Sequence, residues 1–152
     1  MPIHVELVTQ ERKLFEEKQA DMVIVPAIEG EMGILPRHAP VLTTLGFGEM
    51  VVRKGNAEER FAIYGGIVDV RPDKVVVLAD TAESAYGISA EKAEEARARA
   101  AKMMAEGTHP DHNRQAALEL RRAEMALKLS RKMASGSTSK LRILSEDEDA
   151  KS

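Results

Sequence analysis

Apolar residues along the chain follow two different periods, and the change falls near Gly87. Ahead of it, short apolar runs recur about every ten residues, near 3–9, 12–19, 21–26, 41–45, 48–54, 59–64, 67–71 and 74–79. Even spacing with turn signals between predicts the strands of a sandwich or barrel. Ile3, Val5 and Leu7 alternate with His4 and Glu6, which gives one buried and one wet face. Phe61 and Ile63 alternate with Arg60 and Tyr64 in the same way. Met22-Val23-Ile24-Val25 and Val75-Val76-Val77-Leu78 are apolar on both faces. Such strands need cover on the outside too, from helices or from a partner subunit. Lys54-Gly55-Asn56-Ala57 reads as a hairpin loop, and Arg71-Pro72-Asp73-Lys74 as a tight turn with Pro setting φ.

Glu29 to Pro40 breaks this grammar. Its two Gly and two Pro predict a rigid loop with special backbone angles. That loop is either a crossover between sheets or a contact loop presenting Glu31 and His38. Its Gly spacing fits neither phosphate-binding fingerprint.

Past Gly87 the period becomes helical. Ser89 predicts an N-cap for a helix running to about Glu106, with Ala93, Ala96, Ala100 and Met103 on one stripe. Gly107-Thr108-His109-Pro110 breaks it, and Asp111 reads as the next cap. Ala116, Leu120, Ala123 and Leu127 form a second stripe. Small residues on both stripes and a short loop predict an antiparallel helical hairpin. Arg131, Lys132 and then Gly136 predict its end. Burial on alanine is modest, so the hairpin is expected to be weakly self-stabilised and able to undock or extend.

Composition draws the same border. All 12 valines lie between Val5 and Val77, whereas Ile88 to Ala134 holds 12 alanines and neither valine nor aromatic. The expected fold is α+β, an N-terminal antiparallel β-sandwich over residues 1–87 followed by a two-helix antiparallel hairpin over 88–134. Residues 135–152, with the Leu141-Arg142-Ile143-Leu144 island and the Glu146–Asp149 acidic run, read as a polar, disordered tail. At 152 residues and no cysteine, the chain buries a real core without disulfides, and thiolate chemistry is excluded.

Charge divides there too. Residues 1–87 hold 9 basic and 14 acidic side chains, and 88–152 hold 13 and 11. Residues 113–134 alone are net +4, from Arg114, Arg121, Arg122, Lys128, Arg131 and Lys132 against Glu119 and Glu124. The overall −3 and the five aromatics argue against a nucleic-acid partner. The longest uncharged stretch, His38–Gly48, is far too short for a membrane span, and a secretory signal pattern is not expected at the N-terminus. The carboxylates are patterned as solvated surface, His109 and His112 sit in a polar loop, and no Ser-His-Asp grammar exists. Binding or regulation is therefore expected rather than catalysis, with no catalytic residue and no metal.

Four motifs now carry a family resemblance. Gly30-Glu-Met-Gly33-Ile-Leu-Pro36-Arg-His38-Ala-Pro40 resembles the signature loop of the ε subunit of bacterial F-type ATP synthases. Gly65-Gly66-Ile-Val-Asp-Val70 and Val75-Val-Val-Leu-Ala79-Asp-Thr-Ala-Glu83 are similar to the following motifs, and Arg122-Ala-Glu-Met-Ala-Leu127 to one in the second helix. Together they span about residues 3–134 in the family's order.

The resemblance implies a ten-stranded sandwich with a helical hairpin. It implies a non-catalytic central-stalk subunit bound to the γ subunit and seated on the c ring, peripheral to the cytoplasmic face of the bacterial plasma membrane. Such a subunit couples rotation of the c ring and γ to ATP synthesis. It also implies inhibition of ATP hydrolysis when the second helix reaches the α and β subunits. By carry-over, Glu31 faces the c ring and His38 faces γ. Arg121, Arg122, Lys128 and Arg131 are the expected inhibitory positions, on charge as much as on resemblance. No cofactor is expected. Some members bind regulatory ATP on the hairpin through I-D-x-x-R-A. Here Ile88, Lys92 and Ala93 hold three of those positions, but Ser89 replaces the acid and Lys92 the arginine. Lysine lacks the planar fork of arginine. A free ligand-binding sandwich with a helical lid is the competing class on the residues alone, and a stand-alone hydrolase has no constellation behind it.

Overall fold

The structure is a computed structural model describing residues 2–107, 109–135 and 141–143. The chain divides into two compact units, one built on residues up to Ser84 together with 141–143, the other beginning at Ala85.

The first unit is one continuous sheet that folds over itself. Its strands are β1 (Ile3–Val8), β2 (Lys13–Ala20), β3 (Met22–Ala27), β4 (Gly30–Ile34), β5 (Val41–Lys54), β6 (Ala57–Val70), β7 (Lys74–Ala79), β8 (Ala82–Ser84) and β9 (Leu141–Arg142). The order is β2-β1-β7-β6-β5-β3-β4, with β8 and β9 also on β6. β5 and β6 pair along their whole length, from Lys54↔Ala57 to Val41↔Val70. The distal half of β6 carries β7, then β1 and β2. Its proximal half carries β8 and β9, while β3 flanks β5 on its other edge and carries β4 in turn. Phe15 of β2 meets Phe61 of β6 at 5.1 Å between ring centroids, which places these two halves face to face. The result is the expected β-sandwich.

The inner faces form one core, with Ile3, Val5, Leu7, Phe15, Val23, Val25, Ile34, Met50, Val52, Phe61, Ile63, Val75 and Val77 among its members. β1 alternates buried and half-buried residues as its sequence does.

Several details differ from expectation, each for a physical reason. The runs at 41–45 and 48–54 are one strand, as are those at 59–64 and 67–71, giving nine strands among the described residues rather than ten. Glycine here continues a strand instead of ending it. Gly65 (φ +83°) and Gly66 (φ +130°) let β6 turn from one layer to the other without leaving the ladder. A Cβ on Gly66 would lie 2.2 Å from the Leu78 carbonyl oxygen. Pairing is mostly antiparallel, but β1–β7 and β6–β9 are parallel.

The segment expected as a rigid loop at 30–40 is half strand. β4 pairs with β3 from Val23↔Ile34 to Ala27↔Gly30, so the glycines sit in a ladder. Arg60 and Tyr64, expected on a wet face, are buried. Arg60 is enclosed by ion pairs to Glu58 and Glu49, and Tyr64 donates to Glu83 Oε1 at 2.8 Å. The tail read as disordered is a strand at Leu141–Arg142, while 136–140 and 144–152 lie outside the described residues.

The second unit is the expected hairpin, α1 (Ala90–Glu106) and α2 (Pro110–Ala134). Ser89 caps α1 by accepting from the Lys92 N–H at 3.3 Å. The cap of α2 is His109 rather than Asp111. Its Nδ1 accepts from the Asp111 N–H, and Pro110 takes the first helical position, where no N–H is needed. Ala93 of α1 packs with Ala126 and Leu127 of α2, which makes the pair antiparallel. The stripes read from sequence hold: Ala93 and Ala100 are buried on α1, and Ala116, Ala123 and Leu127 on α2. Gly136, the expected stop, lies outside the described residues.

Gly66→Ala is expected to destabilise the chain by about 3 kcal/mol, since the left-handed φ and the carbonyl clash add. Gly55→Ala, at φ +57° in open space, is expected to cost only about 1 kcal/mol. Urea denaturation midpoints of the two variants check this ranking.

An ion-pair network spans β1, β2 and β7. His4 Nε2 lies 2.7 Å from Glu16 Oε2, and the Lys13 and Lys74 ammonium groups approach Glu6 at 3.5 and 3.4 Å. The His4 hydrogen bond, joined by the charge of Lys13, holds the Glu16 carboxyl below its usual range. A lowered carboxylate stabilises the fold above its unfolded value of 4.5 and loses that contribution as pH falls through the lowered value. Glu16→Gln should therefore lower the denaturation midpoint at neutral pH and flatten its fall on acidification. Parallel acid profiles for the two proteins would contradict this.

Candidate partner-binding surfaces

The expected site residues fall on two separate surfaces. On the sandwich, Glu31 is exposed at the second position of β4, opposite Pro26. The chain then turns through Leu35-Pro36-Arg37-His38, closed by the His38 N–H donating to the Leu35 carbonyl at 3.2 Å. Pro36 supplies the second position, and Arg37 at φ +67° the third, the geometry of a type II turn. Arginine there is costlier than glycine. The turn is held by the Arg37 N–H donating to Pro72 O at 2.8 Å, which ties it to the β6–β7 turn. His38 is half-buried, with Nδ1 donating to the Ala39 carbonyl at 2.7 Å. Glu31 and His38 therefore belong to a strand and a turn, separated by buried Ile34, rather than to one contact loop.

Beside the turn, Pro40, Leu42, Val70 and Pro72 line an open depression of about 470 Å³. Leu42 is 70% exposed, and two further apolar side chains, Ile67 and Leu78, are exposed on paired positions of β6 and β7. Thr44, two residues from Leu42, pairs with Ile67. These three residues therefore share the outer face of one layer. The run Val75–Leu78 foretold an outer apolar face. Leu42 and Ile67 were not singled out in sequence, because only the register places them beside it.

On the hairpin, Arg121, Lys128 and Arg131 are exposed on α2, and helical spacing puts Arg121 and Lys128 on one stripe. Arg122 is turned away from that stripe and half-buried, and its Nε lacks a hydrogen-bond partner among the described residues. Lys128 and Arg131 line an open cleft of about 480 Å³ with Leu127, Glu124 and, from α1, Glu94 and Arg97. Glu94 and Arg97 form an ion pair along one turn of α1. Hydrogen bonding to Arg97 lowers the Glu94 carboxyl's pKa, with Arg131 contributing, and Glu94 raises that of Arg97. Three cations thus face two carboxylates. An anion entering this cleft must compete with Glu94 for Arg97. The signal for Arg97 was the i, i+3 spacing from Glu94, which reads as ordinary helix surface.

Of the residues carried over as ATP-binding, Ile88 packs against the Ala93, Ala126 and Leu127 cluster, Ala93 is buried in it, and Lys92 is exposed. Two of the three are helix-packing residues.

Comparisons with known proteins agree with this architecture. Residues 2–85 match the family model of the ATP synthase delta/epsilon chain β-sandwich domain. The ATP synthase epsilon chain of Herpetosiphon aurantiacus is 44% identical over 128 residues, 84% of this chain and 88% of that one. That of Halalkalibacterium halodurans is 39% identical over 126 residues, 83% and 90% of the two chains. Among solved structures, a chain of the Euglena gracilis mitochondrial ATP synthase OSCP/F1/c-ring structure matches with a TM-score of 0.68 at 20% identity, over 90% of this chain and 81% of that one. A chain of the Tetrahymena thermophila mitochondrial ATP synthase central stalk/c-ring structure matches at 0.61 and 14%, over 86% and 97%. Those two likenesses speak to the fold. The family model covers over half the chain, and the bacterial relatives align along most of their length, so the chain belongs to the ATP synthase epsilon-chain family, whose members are non-catalytic subunits of that complex.

Proposed function

We propose that the chain is a central-stalk subunit that couples rotation of the c ring and γ to ATP synthesis and restrains ATP hydrolysis through α2. The observation that carries the regulatory part is the exposed cationic stripe of α2, on a helix whose partner helix meets it mainly through alanines. A helix so packed gives up little burial on leaving its partner. Its charge then favours an acidic surface on the α and β subunits. Within the complex, the apolar outer face at Leu42, Ile67 and Leu78 suits γ, with His38 at its margin. Exposed Glu31 suits the polar loops of the c ring. In this reading the chain sits at the cytoplasmic face of the bacterial plasma membrane, held there by its partners.

Deleting residues 88–152 is expected to raise ATP hydrolysis by the assembled complex without preventing assembly. Unchanged hydrolysis would remove the inhibitory role. Arg121→Gln, Lys128→Gln and Arg131→Gln together should relieve inhibition, and more so at low salt, where exposed charges are least screened. Adding Arg122→Gln should change little, because Arg122 lies off the stripe. A large further effect from Arg122 would show that the stripe is not the contact.

The cleft on the hairpin favours a second reading, a regulatory nucleotide site built from Arg97, Lys128 and Arg131. Calorimetric titration of the full chain with Mg-ATP separates the two. Saturable binding that Arg97→Ala abolishes supports the nucleotide site. A flat titration leaves α2 as a purely protein-binding helix.

A further inference from the structure

Past α2 the chain returns to the sandwich. β9 lies parallel to the start of β6, with Leu141 opposite Ala57 and Arg142 opposite Glu58. β8 covers the same edge of β6 only at 61–63. β9 therefore takes the next stretch of edge, whose N–H and C=O groups are a template for strand addition. Side chains add to the backbone pairing. Arg142 Nε lies 3.0 Å from Glu59 Oε1, and its Nη2 also bonds that oxygen. Glu59 is wholly buried, and the Arg142 side chain is only 20% exposed. A carboxylate held in that environment favours a guanidinium fork over solvent exchange. Ile143 packs against the sandwich core, whereas Leu141 stays exposed.

Covalent geometry gives this strand a consequence for α2. The helix ends at Ala134 and β9 begins at Leu141. Seven residue steps reach at most ~25 Å. A helix of 25 residues is ~37 Å long. Swinging α2 out about the turn after α1 carries its C-terminal end through a distance comparable to that length or greater. With β9 seated, the end of α2 stays within ~25 Å of that edge of β6.

We propose that β9 is a latch supplied by the chain itself. Docked on β6 through Arg142 and Glu59, it restrains the C-terminal end of α2, and α2 reaches out to inhibit only after β9 leaves the sheet. The proposal rests on the inhibitory reading given above. It differs from it in placing control of the hairpin on three residues beyond the hairpin.

The chain has no cysteine, so a single engineered pair is clean. Ala57→Cys with Leu141→Cys joins positions that face each other in the register. Mild oxidation of the full chain should close an intramolecular disulfide, seen as a gel mobility shift that reductant reverses. Failure to close it would overturn the docked strand. In the assembled complex, the oxidised form should hydrolyse ATP as fast as the complex lacking 88–152, and reduction should restore inhibition. Equal rates in the oxidised and reduced forms, where the 88–152 deletion does raise hydrolysis, would overturn the latch. If the deletion leaves hydrolysis unchanged, the inhibitory reading fails and the latch loses its regulatory role with it, while the disulfide still reports whether the strand docks. Arg142→Ala alone, with Leu141 and Ile143 kept, should strengthen inhibition; unchanged or weaker inhibition counts against the latch.

Discussion

The structure hangs on one ladder, the pairing of β5 with β6. Fourteen residues of each strand run through both layers of the sandwich, and the other strands of the unit attach to them directly or through one or two neighbours. The bend is possible because Gly65 and Gly66 adopt φ values that a side chain resists, with the Leu78 carbonyl where a Cβ would be. β6 consequently has cover on both faces over its first half. That is why Glu58, Glu59 and Arg60 are buried there and need one another, Glu49 and Arg142. The same ladder sets which residues stay outside. Leu42, Ile67 and Leu78 are exposed because the register places them on the face away from the core.

The hairpin is built on a different scale. Each fully buried Val, Leu, Ile or Phe of the sandwich contributes about 1.5–3 kcal/mol, whereas a buried alanine methyl contributes about 0.8. The buried set on α1 is Ala93 and Ala100, and on α2 it is mostly alanine with Leu127 and Leu129. Against a backbone ordering cost of about 1–2 kcal/mol per residue, the helices hold together with little margin. A well-packed sandwich and a marginal, cationic hairpin suit the switching role proposed above. The charge pattern supplies direction to that appendage, since Arg121, Lys128 and Arg131 are exposed on α2, while Arg97 of α1 is held by Glu94.

Much of this was legible in residue order. Valine against alanine located the two halves, Ser89 located a helix start, and stripes of small residues located the faces that meet. What escaped did so for definable reasons. Glycine is ambiguous in sequence, because the same residue ends one strand and carries another through a bend, so 41–54 and 57–70 were each read as two strands. β4 hid behind its glycines and the prolines that follow it. Arg60 and Tyr64 looked solvent-facing because alternation cannot reveal that a strand is covered on both sides. His109 was overlooked as a cap because its side chain seldom serves there, although Pro110 after it marks a first helical position. Arg142 was read as part of a disordered tail because its partner, Glu59, is 83 positions away. The apolar outer patch and the cleft likewise depend on register and helix pairing, which no local window contains.

Hydrogen exchange of the full chain tests the central claim most directly, since it reads platform and switch in one sample. The account predicts that the amides of β5 and β6 exchange only through global unfolding, while those of α1 and α2 open at far smaller free-energy cost. Equal, strong protection in the helices and in the β5–β6 ladder would contradict it.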